Sequence, residues 1–92
     1  KLTDNIEENN EEQFVNIYPN PSGGVFDLEV LSDIESIKIV KIYSLDGQLV
    51  FETEFNSIST QLNMSNLESG IYMYQILSNG VQLANDKLII IK

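Results

Sequence analysis

The sequence predicts an all-β fold of seven antiparallel strands packed as a sandwich, and three observations predict it. From Gln13 onward, short segments rich in Val, Ile, Tyr and Phe are separated by Gly, Pro, Asn, Asp and Ser at intervals of roughly ten residues. Within those segments apolar and polar residues alternate, the period of a strand with one buried face. No helix-length periodic stretch interrupts the rhythm. An odd strand count favours two packed sheets over a closed up-and-down barrel.

The first strand reads from Phe14 to Tyr18 and is stopped by Pro19-Asn20-Pro21-Ser22-Gly23-Gly24. Both prolines lack a ladder N–H, and the glycines permit positive φ. Phe26, Leu28 and Val30 then alternate with Asp27 and Glu29, so the second strand has one dry and one wet face. Ile37 to Tyr43 carries apolar residues on both faces, the pattern of a more central strand. Asp46-Gly47 signals a hairpin into Gln48 to Phe55, where Leu49, Phe51, Thr53 and Phe55 are expected on one face and Glu52 and Glu54 on the other.

A short strand follows around Ser59 to Asn63, and Met64 to Gly70 is a polar crossing. Ile71 to Leu77 is apolar on both sides, Ser78-Asn79-Gly80 turns the chain, and Val81 to Ile91 returns antiparallel. Glu68-Ser69-Gly70-Ile71-Tyr72 has the acid-x-Gly-x-Tyr form of an entry to a late strand, where a tyrosine hydroxyl ties back to the preceding crossing. Together these elements point to an immunoglobulin-like β-sandwich. Gly47, Gly70 and Gly80 are expected to serve backbone conformations closed to other residues, and Tyr72 to pack and hydrogen-bond at the corner.

Ninety-two residues suit one domain with one core, and a hydrophobic fraction of 42% is enough to fill it. No apolar run approaches the roughly 20 residues of a membrane-spanning helix. Residues 1–12 hold Asp4, Glu7, Glu8, Glu11 and Glu12 among three Asn, the composition of an acidic flexible linker; the folded domain is expected over residues 13–92. The absence of an initiator Met and of a leader pattern suggests a segment of a longer product.

A formal charge of −9 repels nucleic acid and anionic headgroups. With no Cys there is neither a disulfide nor a thiolate metal site, and with no His the commonest general base and metal ligand is missing. No phosphate loop, zinc-protease, calcium-loop or nucleophile-elbow motif occurs, so no catalytic residue, metal site or cofactor is assigned. The nearest carboxylate pairs, Asp33 with Glu35 and Glu52 with Glu54, read as solvated loop and strand face.

The segment Lys87-Leu88-Ile89-Ile90-Ile91-Lys92 places four consecutive apolar β-formers between lysines. One reading is a buried last strand with gatekeeper charges. The other is an edge displayed for a partner that adds to the sheet by main-chain hydrogen bonds.

Val15-Asn16-Ile17-Tyr18-Pro19-Asn20-Pro21, Gly24-Val25-Phe26 and Ile42-Tyr43-Ser44-Leu45-Asp46-Gly47-Gln48-Leu49-Val50 resemble, in order and spacing, the C-terminal sorting domains of the type IX secretion system. Leu67-Glu68-Ser69-Gly70-Ile71-Tyr72 and the Lys87–Lys92 segment are similar to the family's later blocks. The resemblance implies a secreted or cell-surface cargo of a Gram-negative bacterium, carried through periplasm and outer membrane. It implies as partners an outer-membrane translocon and its shuttle protein, and in many members a surface sortase that removes the domain. On it, Lys87, Leu88, Ile89, Ile90, Ile91, Lys92, Pro19, Asn20 and Pro21 become recognition candidates. Gly24, Gly47, Gly70, Tyr72 and Gly80 become structural motif residues, and Asn5, Ile6, Glu7, Glu8, Asn9 and Asn10 a candidate cleavage region. The isolated domain is expected to be a monomer.

Two other functions fit a sandwich of this size. A carbohydrate-binding or adhesive module presents exposed aromatics, and here there is no Trp, with Tyr18 and Tyr43 the outward candidates. A passive spacer in a repetitive surface protein predicts further copies of the same unit.

Overall fold

The computed structural model describes residues 15–31 and 36–92. Among them seven strands form in order: β1 (Val15–Tyr18), β2 (Val25–Val30), β3 (Lys38–Tyr43), β4 (Leu49–Phe55), β5 (Ser59–Asn63), β6 (Gly70–Ser78) and β7 (Val81–Ile90). No described residue is helical. A three-stranded sheet has the order β1-β2-β5 and a four-stranded sheet the order β4-β3-β6-β7, with every named pairing antiparallel. Phe14 and the acidic stretch assigned to a linker lie outside the described residues.

The alternation seen in the sequence is what closes the core. Val15, Phe26, Leu28, Val30 and Leu62 from the first sheet meet Val40, Ile42, Ile76, Leu88 and Ile90 from the second, with Met64 buried between them. The two strands that read as apolar on both faces, β3 and β6, are the inner pair of the four-stranded sheet. Both of their backbone edges are paired, so their main-chain groups are satisfied within the sheet.

Two side chains depart from the simple period. A register shift between Ile42 and Tyr43 sets Tyr43 opposite Leu49. The bulge changes the parity, so Val50 packs against the core and Leu49 turns outward at 44% exposure, not inward with Phe51 and Phe55. At the start of β3 it is Lys38, not Ile37, that enters the core: Lys38 is fully buried and Ile37 is 56% exposed. The Lys38 ammonium donates to the Ser36 carbonyl at 2.9 Å and lies 5.2 Å from the centre of the Phe55 ring. Its stem packs as a hydrophobe while the charge meets an acceptor and an aromatic face.

The β6–β7 hairpin turns at Asn79 and Gly80, both at positive φ (53° and 77°), which matches the right-handed twist of the flanking strands. Gly24 is required for a different reason. Its φ is 128°, and a Cβ there would lie 2.7 Å from the Ser65 Cα. The close approach lets the Met64 N–H donate to the Gly24 carbonyl at 2.7 Å, joining the start of β2 to the end of β5.

Candidate recognition surface

The two segments that the sequence marks for recognition lie 67 to 69 residues apart and are hydrogen-bonded to each other. β7 pairs with β6 along one side. Its other side would be an open edge, with the N–H and C=O groups of alternate residues facing outward. Over Lys87 to Ile91 the turn after β1 covers that edge. The Asn20 side chain donates from Nδ2 to the Lys87 carbonyl and accepts at Oδ1 from the Ile89 N–H, each at 3.0 Å. A side-chain amide carries donor and acceptor in peptide-like geometry and so can stand in for a strand residue.

Ser22 continues the cover with its main chain. Its N–H donates to the Ile89 carbonyl at 3.0 Å and its carbonyl accepts from the Ile91 N–H at 2.8 Å, forming a parallel bridge beside Ile90. The Lys87 N–H is taken by the Asp86 carboxylate at 2.8 Å. Beyond the strand, the Lys92 N–H donates to Ser69 Oγ at 2.9 Å, and its ammonium donates to the Ser65 carbonyl.

These bonds bear on one of the two readings of this segment. The main chain from the Lys87 N–H to the Ile91 N–H is not displayed for an added strand, because those outward groups are already used. What the segment shows outward is side chains: Leu88 and Ile90 are in the core, Ile89 is half-buried, and Lys87, Ile91 and Lys92 are exposed. Pro19, Asn20 and Pro21 are exposed beside them, and both prolyl bonds, Tyr18–Pro19 and Asn20–Pro21, are cis.

Among the motif residues, Tyr72 donates from its hydroxyl to the Glu68 carbonyl at 2.8 Å, fastening the entry of β6 to the preceding crossing. Gly47 has φ 89° in the β3–β4 connection, where its N–H donates to the Ser44 carbonyl at 3.0 Å. Gly70 does not serve a restricted conformation. It lies outside the positive-φ set, and a Cβ there would meet the Tyr72 ring at an ordinary 3.7 Å.

Among the described residues two titratable groups are shifted. The Asp46 carboxyl is held below its usual range by the hydroxyl of Ser44, which donates to it within the exposed β3–β4 turn. Burial of the Tyr74 phenol, reinforced by the Asp86 charge opposite it on β7, raises its pKa. Among the described residues no group of three or more carboxylates could hold a metal ion. Glu52 and Glu54 are both exposed, while Asp33, Glu35 and the candidate cleavage region Asn5 to Asn10 lie outside the described residues.

Sequence reading missed Ser22 and Lys38. The Ser22 contribution is made by main-chain atoms and leaves no residue-type signal. Lys38 could have been found from strand parity, since Lys38, Val40 and Ile42 fall on one face of β3.

The fold and this surface define a small all-β module whose two marked segments form one feature. A family model described as a secretion system C-terminal sorting domain matches residues 16–92, and the chain belongs to that family. It is 35% identical over 77 residues to ulvan lyase NLR42 of Nonlabens ulvanivorans and 30% identical over 77 residues to an endo-acting ulvan lyase of Formosa agariphila. Each match covers 83% of this chain but 14% of the relative, so the chain spans about a seventh of the curated relatives it matches. The domain is a sorting signal for type IX secretion, it acts with the secretion machinery, and it belongs to a secreted or cell-surface protein.

Proposed function

We propose that this domain directs an upstream cargo through the periplasm and across the outer membrane by engaging the translocon and its shuttle protein. The observation that carries this reading is the joining of Pro19-Asn20-Pro21 to Lys87–Ile91 by Asn20 and Ser22. In this reading the recognition element comprises Pro19, Asn20 and Pro21 with Lys87, Leu88, Ile89, Ile90, Ile91 and Lys92. Leu88 and Ile90 act from the core, by holding the others in place. The three-plus-four strand order and the Tyr72 tie support an immunoglobulin-like sandwich. The domain proper runs over residues 13–92, acts as a monomer, and follows a linker at residues 1–12.

The test fuses Lys1 to Lys92 to the C-terminus of a periplasm-directed fluorescent protein in a type IX-competent host and in a translocon-deficient strain. Fluorescence outside the cell in the competent strain alone is the expected result. Retention in both, with the domain folded, overturns the reading. For members of this family that a sortase trims, Asn5, Ile6, Glu7, Glu8, Asn9 and Asn10 offer an acidic, Asn-rich stretch ahead of the domain. Mass spectrometry of exported cargo is expected to find its new C-terminus there, and residues beyond Phe14 still attached would sink that proposal.

A further inference from the structure

The sandwich has two outer faces of different chemistry. On the three-stranded sheet the outward residues are Asn16, Asp27, Glu29, Ser59, Gln61 and Asn63, with Tyr18 and Val25 the apolar exceptions. On the four-stranded sheet the register builds an apolar patch from four strands. Leu49, Tyr43, Met73 and Lys87 follow one another across β4, β3, β6 and β7, and Ile71 pairs with Ile89 in the next row. Ile91 continues the outward alternation of Lys87 and Ile89. Leu49 is 44% exposed, Ile71 43% and Ile91 61%. Tyr43, Met73, Gln75 and Asn85 line a shallow depression beside the patch.

Contiguous exposed apolar surface of this kind marks interaction sites, and Tyr and Met are enriched at the centres of interfaces. The charges of this face are sorted. Glu54 and Glu52 lie on β4, with Lys41 directly opposite Glu52, while Lys87 stands beside Met73 and no carboxylate belongs to the patch. In a chain of 14 acidic and 5 basic residues, the charge set within this apolar patch is a lysine, Lys87, while Lys41, Glu52 and Glu54 lie farther along the same face.

We propose that the secretion machinery docks on this outer face of the four-stranded sheet, with Ile71, Met73 and Ile89 at the centre of the contact. The partner surface is apolar with a carboxylate placed against Lys87. The proposal rests on the sorting function and extends the recognition element to β3, β4 and β6, in side chains far from both marked segments in sequence. A second copy of this chain is the competing occupant, and a dimer held together through the patch is its mark.

The test uses the reporter fusion of the full chain with Ile71→Asp and, separately, Lys87→Glu, each checked for folding by circular dichroism. Gln61→Asp on the opposite outer face is the control. Export is expected to fall by about tenfold or more for both variants, the effect of losing one central anchor or reversing one matched charge, and to stay unchanged for the control. Folded variants exported like the parent overturn the proposal, as does a dimer of the parent that Ile71→Asp dissolves. If Ile71→Asp does not fold, Leu49→Asp decides, because that side chain is exposed, belongs to the patch and lies outside both marked segments, whereas Lys87 is already part of the recognition element. Failure of the parent fusion to leave the competent host is a different result, and it strikes the sorting function itself.

Discussion

Asn20 holds Ile89 as a neighbouring strand would: its Oδ1 accepts the Ile89 N–H at 3.0 Å while its Nδ2 donates to the Lys87 carbonyl two residues earlier. Asn20→Ala removes both bonds and returns this part of β7 to an open edge. A loss of about 1–2 kcal/mol in urea unfolding is expected, modest because water can replace the bonds at the surface. Hydrogen exchange should show the Ile89 amide losing protection in the folded protein. Unchanged protection would mean that Ser22 alone holds the edge.

Gly24→Ala should cost more than any other glycine substitution in the turns. The new Cβ would meet the Ser65 backbone at 2.7 Å and sit at φ 128°, so both the space and the angle are wrong. About 2–4 kcal/mol is expected from clash and strain together. Gly47→Ala meets nothing within 4 Å and strains only the backbone, at about 1 kcal/mol. Equal urea midpoints for the two variants would contradict this ordering.

What could be read from the sequence follows the range over which its signals act. Alternation over Phe26 to Val30 and the Asn79-Gly80 turn are local, and β2 and the last hairpin formed where they were read. Parity across a bulge is not local: Leu49 and Val50 exchange faces because of a shift in pairing with β3. The Asn20 contact is the extreme case, a side chain reaching across the fold to main-chain atoms that have no residue-type signature. The two marked segments were therefore legible separately and their union was not. The apolar outer face lay hidden for the same reason, since its members come from four strands.

Lys38 offers a test of how a buried cation is tolerated in this core. Lys38→Met keeps the stem against Phe55 and removes the charge with its solvation cost. A change within about 1.5 kcal/mol in urea unfolding is expected. Lys38→Glu sets a carboxylate against the Ser36 carbonyl and the Phe55 ring face, both repulsive to it, and should cost about 3–5 kcal/mol or prevent folding. A Met variant as damaged as the Glu variant would show that the ammonium itself, not the stem, holds the start of β3.

The Tyr74–Asp86 pair predicts how stability depends on alkaline pH. Burial disfavours the Tyr74 phenolate and the Asp86 carboxylate repels it, so the folded pKa lies above the ordinary value near 10. Unfolding relieves both effects and lets the proton leave more easily. The contribution of Tyr74 is therefore fully present below its unfolded pKa and is lost as pH rises from about 10 through the folded value. Urea midpoints measured between about pH 8 and 11 should fall, and the fall should be shallower in Tyr74→Phe, which keeps the ring and removes the titrating group. Asp86→Asn removes the second cause only, so the Tyr74 ionisation, followed by phenolate absorbance, should move part of the way down toward 10. If Tyr74→Phe left the alkaline slope as steep as in the parent, the loss would belong to other groups, and the pair would carry no pH dependence.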